Sequence, residues 1–455
     1  MGSAGRGGVW LGALLGALTF GLALGDGCLA AGDVRFDLGE AALARIDGTP
    51  GVGVAIGTIE NGKTAVVLRG ESGTAVKLGR DTIFEIGSVT KTFTGLLLAE
   101  MAGRGEVRLD QPIQELLPKD VTAPAHGGRQ ITLLDLATQS SGLPRLPDNL
   151  APNDPNDPYA KYDDARLFEF LSRYRPTRDA GAQYEYSNLG VGLLGRLLAL
   201  RAGEGYEALL RERVLGRLEM YATGVASTPA MRAHLAAGHD ADGNPVPGWT
   251  FDALSGAGGL RSSLADMLRY LGAVMSADEP LGPAARIAEQ PRRDAFPGAR
   301  IGLLWNTNVA DGIVWHNGQT AGFHAFIGFS SDRTRGIVVL SNAPLALDDL
   351  AQHWLDPAVA LVPALRTLPI DREALGAYAG TYDLGGTRLV FTREGDRLYA
   401  KLGEQPRFRV YPYAPDAFFW KVVDARVTFT VVGGKATSLV LHQGGRDFAA
   451  ARSAD

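Results

Sequence analysis

Residues 84–91 read Phe84-Glu85-Ile86-Gly87-Ser88-Val89-Thr90-Lys91, and they hold the only Ser-x-x-Lys of the chain. Apolar residues continue after this stretch at helical spacing, at positions 93, 96, 97 and 101, which predicts a buried helix. Positions i and i+3 share one helix face, so the Lys91 amine is expected beside the Ser88 hydroxyl. Because a serine hydroxyl needs a nearby base to act as a nucleophile, the stretch indicates an acyl-transfer site.

The same pattern has a structural alternative. Ser-x-x-Lys is a loose motif, and serine is a common N-cap, so Ser88 could simply satisfy the first amides of the helix. On the tetrapeptide alone the N-cap is favoured. Other motifs have to decide between the two interpretations.

The composition is that of an ordinary soluble protein. Its 455 residues are too many for one small core and predict two folded domains. Hydrophobic residues make up 45% and charged residues 21%, and the formal net charge is −5, so the sequence offers no basic face for nucleic acid or anionic lipid. Nucleic acid is therefore not an expected partner.

The N-terminus has the layout of a secretory signal peptide. Arg6 precedes an uncharged apolar run at 9–24, and small residues follow it, so residues 1–31 are expected to be removed on export. The run is short and glycine-rich for a stable membrane span, although an uncleaved anchor stays open. Cys28 is the sole cysteine; Gly25 and Asp26 fit a lipoprotein box poorly, so lipidation there is disfavoured, and no disulfide is expected.

Hydrophobic patterning predicts the order of the elements. Segments 51–59 and 64–68 flank Asn61-Gly62, a strong hairpin signal. Helices and loops follow to about residue 275, and strands return at 313–315, 325–329 and 337–340. Strands at both ends of a domain at 32–362 predict a sheet closed by distant segments, with a helical region inserted and a cleft between the two.

The C-terminal part reads differently. A stretch at 362–369 that contains prolines marks a domain boundary. Short segments in which apolar and polar residues alternate follow it, at 388–391, 398–402, 427–431 and 438–441. Residues 370–455 are therefore predicted to form a small all-β domain.

Tyr186-Ser187-Asn188 precedes a second helical run and is the only Tyr-x-Asn of the chain. An asparagine helix cap would explain it without any chemistry. Beside Ser88, however, a phenol near an ammonium group loses its proton more easily. Tyr186 could then serve as general base and acid, and Asn188 could hold the substrate amide or the lysine.

His316-Asn317-Gly318 follows an apolar strand and leads into another. A glycine at a strand edge permits close approach of a ligand backbone, and the N–H of Gln319 could serve as an oxyanion donor beside the N–H of Ser88. The alternative is an ordinary histidine at a strand end.

Taken in order, these three motifs resemble those of the serine β-lactamase and penicillin-binding-protein superfamily. The tyrosine in the second motif resembles the class C β-lactamase branch, which includes D-alanyl-D-alanine carboxypeptidases and esterases. The resemblance implies an α+β fold: an antiparallel sheet flanked by helices, with an inserted α-helical subdomain. The C-terminal segment resembles the lipocalin-like β-barrel domain of some members.

By this resemblance, each motif residue takes a role. Ser88 is the nucleophile, Lys91 its activator and Tyr186 the general base and acid, while Asn188, His316, Gly318 and Gln319 bind substrate. No metal or cofactor is implied. The implied substrate is a β-lactam or a peptidoglycan-derived D-alanyl peptide, and the implied location is the bacterial periplasm.

Two departures bear on the substrate. His316 stands where a lysine is usual, and histidine loses its charge near pH 6.5, so a substrate carboxylate would be held less firmly above that pH. The loop at 143–147 lacks the usual glutamine and carries Arg145, a candidate for the missing charge. A carboxylesterase using the same site, and a non-catalytic peptidoglycan-binding or scaffold protein, are the alternatives.

Overall fold

The computed structural model describes residues 36–46, 49–150, 157–403, 405, 407–443 and 446–453. The chain divides into two compact units between Leu361 and Val362, and each unit is described by itself. The predicted signal peptide, residues 1–31, and Cys28 lie outside the described residues. Among the helices that are described, none combines the length and the apolar character needed to span a membrane.

The helices and strands of the first unit follow the order expected from the sequence. Its α-helices are α1 Leu38–Ile46, α2 Thr90–Gly103, α3 Leu133–Ala137, α4 Asp164–Arg173, α5 Asn188–Ala202, α6 Tyr206–Leu210, α7 Pro229–Arg232, α8 Ser255–Gly258, α9 Leu264–Met275, α10 Gly282–Glu289 and α11 Asp348–Leu355. Its strands are β1 Gly53–Glu60, β2 Lys63–Gly70, β3 Ile83–Glu85, β4 Ala125–His126, β5 Arg129–Gln130, β6 Gly238–His239, β7 Pro245–Val246, β8 Arg261–Ser263, β9 Arg293–Asp294, β10 Ala299–Ile301, β11 Asn306–Asn308, β12 Val314–Gln319, β13 His324–Phe329 and β14 Arg335–Ser341.

The main sheet joins distant parts of this unit, as predicted. Its strand order is β2-β1-β14-β13-β12-β11-β10-β9, and its neighbours pair antiparallel. The β1–β2 hairpin turns at Asn61 and Gly62, whose φ angles of 49° and 78° match the left-handed pair that an Asn-Gly turn supplies. The α+β fold class is confirmed.

Alternate residues of β14 serve two cores, because successive side chains of a strand point to opposite faces. Val338 and Leu340 pack in the core that contains α2 and α9, whereas Ile337 and Val339 pack with α1 and α11. Helix α2 lies inside the larger core, and its residues 90–101 are buried all round. The helix that follows the Ser88 turn is thus fixed on every side, which fixes the turn as well.

The second unit is a closed antiparallel barrel. Within the described residues of this unit, its strands are β15 Gly380–Leu384, β16 Thr387–Glu394, β17 Arg397–Leu402, β18 Phe408–Ala414, β19 Ala417–Phe419, β20 Ala425–Val432, β21 Lys435–Gln443 and β22 Arg446–Arg452. Closure leaves no unpaired sheet edge. The interior is filled by packed side chains, among them the rings of Tyr382, Phe391 and Phe429, whose centroids lie 5.0–5.8 Å apart. The all-β prediction for this part of the chain is confirmed.

Candidate active site

Ser88 lies in a single 3₁₀ turn, Gly87–Val89, between strand β3 and helix α2. The residue at the N-cap position of α2 is Val89, and no side chain caps the helix. Ser88 therefore does not act as the N-cap that the sequence left open. Its hydroxyl makes other hydrogen bonds.

Two candidate proton carriers contact the Ser88 hydroxyl. Lys91 Nζ lies 3.0 Å from Ser88 Oγ, and Tyr186 Oη donates to the same oxygen at 2.7 Å. Lys91 Nζ also donates to Asn188 Oδ1 at 2.8 Å and to the carbonyl oxygen of Ala257 at 2.6 Å. The first two motifs thus meet at one hydroxyl group, although Ser88 and Tyr186 are 98 positions apart in the sequence.

Ser187 fixes the second motif in place. It is the N-cap of α5, accepting from Gly190 N at 2.8 Å, and its hydroxyl donates to the carbonyl oxygen of Pro144 at 2.6 Å. Its own amide donates to Gln139 Oε1 at 2.7 Å. The capping role considered for Asn188 is thus filled by its neighbour, which leaves the Asn188 side chain for Lys91.

Burial shifts the pKa values of both proton carriers, in opposite directions. The Lys91 side chain is 0% exposed, and this desolvation, with a smaller contribution from the charge of Arg145, lowers the pKa of its amine well below 10.5. Burial raises the pKa of Tyr186 to about 12, against the opposing effects of Arg145 and the Ser88 hydrogen bond. In the unliganded site, a proton is therefore held more weakly by Lys91 than an ordinary lysine would hold it, and more strongly by Tyr186 than an ordinary tyrosine would.

The third motif approaches Ser88 through backbone atoms. A Cβ added at Gly318 would lie 2.1 Å from the carbonyl oxygen of Ile86 and 2.8 Å from the amide nitrogen of Ser88, and one added at Gly87 would lie 2.7 Å from the amide nitrogen of Gln319. Only glycine leaves room for this contact between β12 and the Ser88 turn. The amides of Ser88 and Gln319 consequently border the same small space, as an oxyanion hole requires.

A buried network holds β12 from its other face. Asn317 Nδ2 donates to Asp348 Oδ2 at 2.6 Å, and His324 Nε2 lies 2.8 Å from Asp348 Oδ1. Asp348 is the first residue of α11. The middle residue of the His-Asn-Gly motif therefore anchors the strand to a helix, while its two neighbours face the site.

His316 is buried beside Lys91 and is not a cation at neutral pH. Burial, with a smaller effect of the Lys91 charge, lowers the pKa of His316 to about 3. Nδ1 lies 2.6 Å from the carbonyl oxygen of Asn317, an arrangement that places the single imidazole proton on Nδ1 and leaves Nε2 as an acceptor. The sequence predicts that His316 loses its charge near pH 6.5. In the structure, burial lowers the pH of this change well below 6.5.

A prediction about pH follows for His316. We expect the ratio of kcat/KM for a carboxylate-bearing acyl donor to that for its neutral amide analogue to stay within about twofold between pH 5 and 8, since the imidazole does not titrate there. The ratio cancels effects of Lys91 that act equally on both substrates. A steep fall of the ratio near pH 6.5 would show a charged His316 and contradict this prediction.

The sequence did not reveal every group in the site. Tyr159 Oη lies 3.3 Å from Asn188 Nδ2, and its ring stacks on Phe251 at 4.6 Å between centroids. Tyr159 comes from a Pro/Asn/Asp-rich loop with no motif, and the Ala257 carbonyl belongs to the short helix α8, so neither position carries a side-chain signal. Among the residues described, no cluster of three or more His, Cys, Asp or Glu is arranged to hold a metal ion.

Comparison with known families gives two matches. The model of the family described as β-lactamase matches residues 42–360, which include all three motifs. A domain of unknown function, DUF3471, matches residues 367–452, the region of the barrel.

Individual relatives agree with the first of these matches. A β-lactamase of Pseudomonas fluorescens is 27% identical over 338 residues, which cover 64% of this chain and 88% of that protein. A D-alanyl-D-alanine-carboxypeptidase/endopeptidase, AmpH, of Escherichia coli is 29% identical over 233 residues, covering 51% and 59%. The crystal structure of the D-alanine carboxypeptidase AmpC from Burkholderia cenocepacia superimposes with a TM-score of 0.60 at 25% identity, covering 70% of this chain and 97% of that one.

Proposed function

Because this chain belongs to the β-lactamase family and is a serine hydrolase, we propose that Ser88 is its nucleophile and is acylated by β-lactams or by D-alanyl peptides. The relatives named above carry both activities in their names, β-lactamase and D-alanyl-D-alanine carboxypeptidase. The predicted signal peptide supports export to the periplasm, where peptidoglycan-derived substrates occur.

One observation carries the proposal: Lys91 Nζ and Tyr186 Oη both lie within hydrogen-bond distance of Ser88 Oγ, at 3.0 and 2.7 Å. A serine held between two groups that can exchange protons is what nucleophilic catalysis requires. A structural serine in a core needs one partner and no buried lysine.

The pKa directions assign the proton steps. A neutral Lys91 amine accepts the Ser88 proton as Oγ attacks the carbonyl carbon of the substrate. Tyr186, kept protonated by burial, donates to the leaving nitrogen as the C–N bond breaks, and it recovers a proton from the Lys91 ammonium. The family resemblance implied that Tyr186 is the general base; in the proposed mechanism Lys91 accepts the first proton and Tyr186 donates to the leaving group.

The other motif residues bind the substrate in this proposal. The amides of Ser88 and Gln319 stabilise the oxyanion, and Gly318 lets them approach each other. Asn188 is shared between the Lys91 amine and the substrate amide. His316 lines the site as a neutral acceptor. Water then attacks the acyl-enzyme with the same groups acting in reverse.

A carboxylesterase is the second candidate, and one observation favours it. The position where the family resemblance implies a lysine holds a buried histidine with a pKa of about 3, so β12 offers no positive charge to a substrate carboxylate. The binding of an ester that has no carboxylate is not weakened by this replacement.

One experiment distinguishes these substrates. Purified protein is incubated with nitrocefin, a peptide ending in D-Ala-D-Ala and a p-nitrophenyl ester, and the acylated peptide is located by mass spectrometry; a Ser88→Ala preparation serves as the control. We expect an adduct on Ser88 and turnover of nitrocefin or the peptide. Turnover of the ester alone would favour the esterase, and adducts elsewhere or in the Ser88→Ala control would refute the nucleophile assignment.

A further inference from the structure

Arg145 lies against the general-acid tyrosine of the site. Its guanidinium carbon is 5.1 Å from the centroid of the Tyr186 ring, and Lys91 Nζ is 4.9 Å from the same centroid. The Tyr186 hydroxyl, in turn, is 2.7 Å from Ser88 Oγ. A small substrate bound at Ser88 would therefore lie within reach of the Arg145 guanidinium.

Hydrogen bonds fix the backbone of Arg145, while its guanidinium has no carboxylate partner among the described residues. Its carbonyl oxygen accepts from the first amides of α5, Asn188 N at 3.0 Å and Leu189 N at 3.3 Å, so the loop is tied to the second motif. The residue is exposed, and within the described part of the chain its guanidinium forms no ion pair with a carboxylate. By contrast, Arg173, Arg178 and Arg196, on the same helical region, each pair with an acidic side chain.

The positive charge of Arg145 reaches the reacting groups. It adds to the burial that lowers the pKa of Lys91, and it opposes the rise that burial imposes on the pKa of Tyr186. An anion bound by the guanidinium would therefore lie close to the acylation centre. Because His316 is buried and neutral at physiological pH, the cation that can meet such an anion lies on the loop and not on β12.

We propose that Arg145 forms an anion-binding subsite on the Tyr186 side of the cleft, which holds the carboxylate of the acyl donor. The inference rests on the proposed function of Ser88 and deepens it: the preferred substrates carry a carboxylate, and Arg145 supplies the charge that His316 does not. A planar guanidinium can hold a carboxylate through two parallel hydrogen bonds, which a lysine cannot do. Arg145 thus sets specificity and does not itself accept or donate a proton in the reaction.

The test compares paired acyl donors that differ only in their carboxylate. Rate constants for Ser88 acylation are measured with a fluorescent penicillin and its methyl ester, and with a D-Ala-D-Ala peptide and its C-terminal amide. We expect Arg145→Met to lower kcat/KM for the carboxylate member of a pair by roughly 10- to 100-fold, mainly through KM, because one charge-assisted contact is lost. The neutral member should change by less than about threefold, and Arg145→Lys should recover part of the loss.

The control is Arg175→Met, because Arg175 is exposed and its side chain, among the residues that the structure describes, bonds only to the nearby carbonyl oxygens of Ser172 and Tyr174. It should leave both members of each pair unchanged. Equal losses for both members in Arg145→Met, or no loss for either, would overturn the subsite while leaving Ser88 acylation in place. Failure of every donor to acylate wild-type Ser88 would instead refute the proposed function.

Discussion

Lys91→Met is expected to reduce acylation of Ser88 by roughly 10³-fold, within the range that a positioned general base contributes. Methionine keeps the unbranched shape of the side chain but cannot accept the proton of the Ser88 hydroxyl, 3.0 Å away. The loss should appear in kcat and in kcat/KM alike, because the interaction is made in the transition state. Stopped-flow measurement with a chromogenic donor would give both constants.

The same substitution should change how stability depends on pH. A base whose pKa is lower in the folded state releases its proton on folding, so the unfolded state binds more protons between that lowered pKa and 10.5. The wild type therefore gains stability as pH rises through this window. Lys91→Met removes the titrating group, so its Tm relative to wild type should fall steadily from pH 7 to pH 10.

The matched control for Lys91 is Lys119→Met, because Lys119 is exposed and lies outside the site. It should leave acylation and the pH dependence of Tm unchanged. Wild-type acylation rates in Lys91→Met would exclude Lys91 as the base. A difference in Tm that does not vary with pH would show that the buried amine keeps its ordinary pKa.

Local patterns predicted the elements that bring the motifs together. The i, i+3 spacing of Ser88 and Lys91 placed both groups on one turn, and the Asn61-Gly62 signal gave the β1–β2 hairpin. Strands at both ends of the domain predicted a sheet closed by distant segments, which the β1–β14 pairing forms. The turn and the hairpin were predicted because each depends on backbone periodicity within a few residues. The sheet closure was predicted from the order of the strands along the chain.

Features set by long-range packing could not be predicted in this way. The neutral state of His316 depends on burial beside Lys91, 225 positions earlier in the numbering. The position of Arg145 over the Tyr186 ring depends on how the 143–147 loop meets α5. In the barrel, strand β18 contains Pro412 at an irregular register with β19, and β22 includes a run of three alanines; both segments depart from the β-branched alternation that indicates a strand.

Gly318→Ala is expected to damage both the fold and the reaction. The new methyl carbon would lie 2.1 Å from the carbonyl oxygen of Ile86 and 2.8 Å from the amide nitrogen of Ser88, so β12 or the Ser88 turn must move. Overpacking of this kind costs about 1–3 kcal/mol of unfolding free energy. Displacing one oxyanion donor costs about 10²- to 10³-fold in kcat.

The contrast with Gly272→Ala makes the Gly318 prediction specific. Gly272 lies inside α9, and among the described residues outside that helix an added Cβ there would meet only Ile59 Cδ1, at 3.8 Å, which is an ordinary contact. Alanine should therefore stabilise the helix by up to about 1 kcal/mol and leave acylation unchanged. The prediction is tested by measuring the thermal unfolding and the rate of Ser88 acylation of both variants. If Gly318→Ala is less stable yet acylates Ser88 at the wild-type rate, the clash does not displace the amides of Ser88 and Gln319, and the predicted loss of an oxyanion donor is wrong.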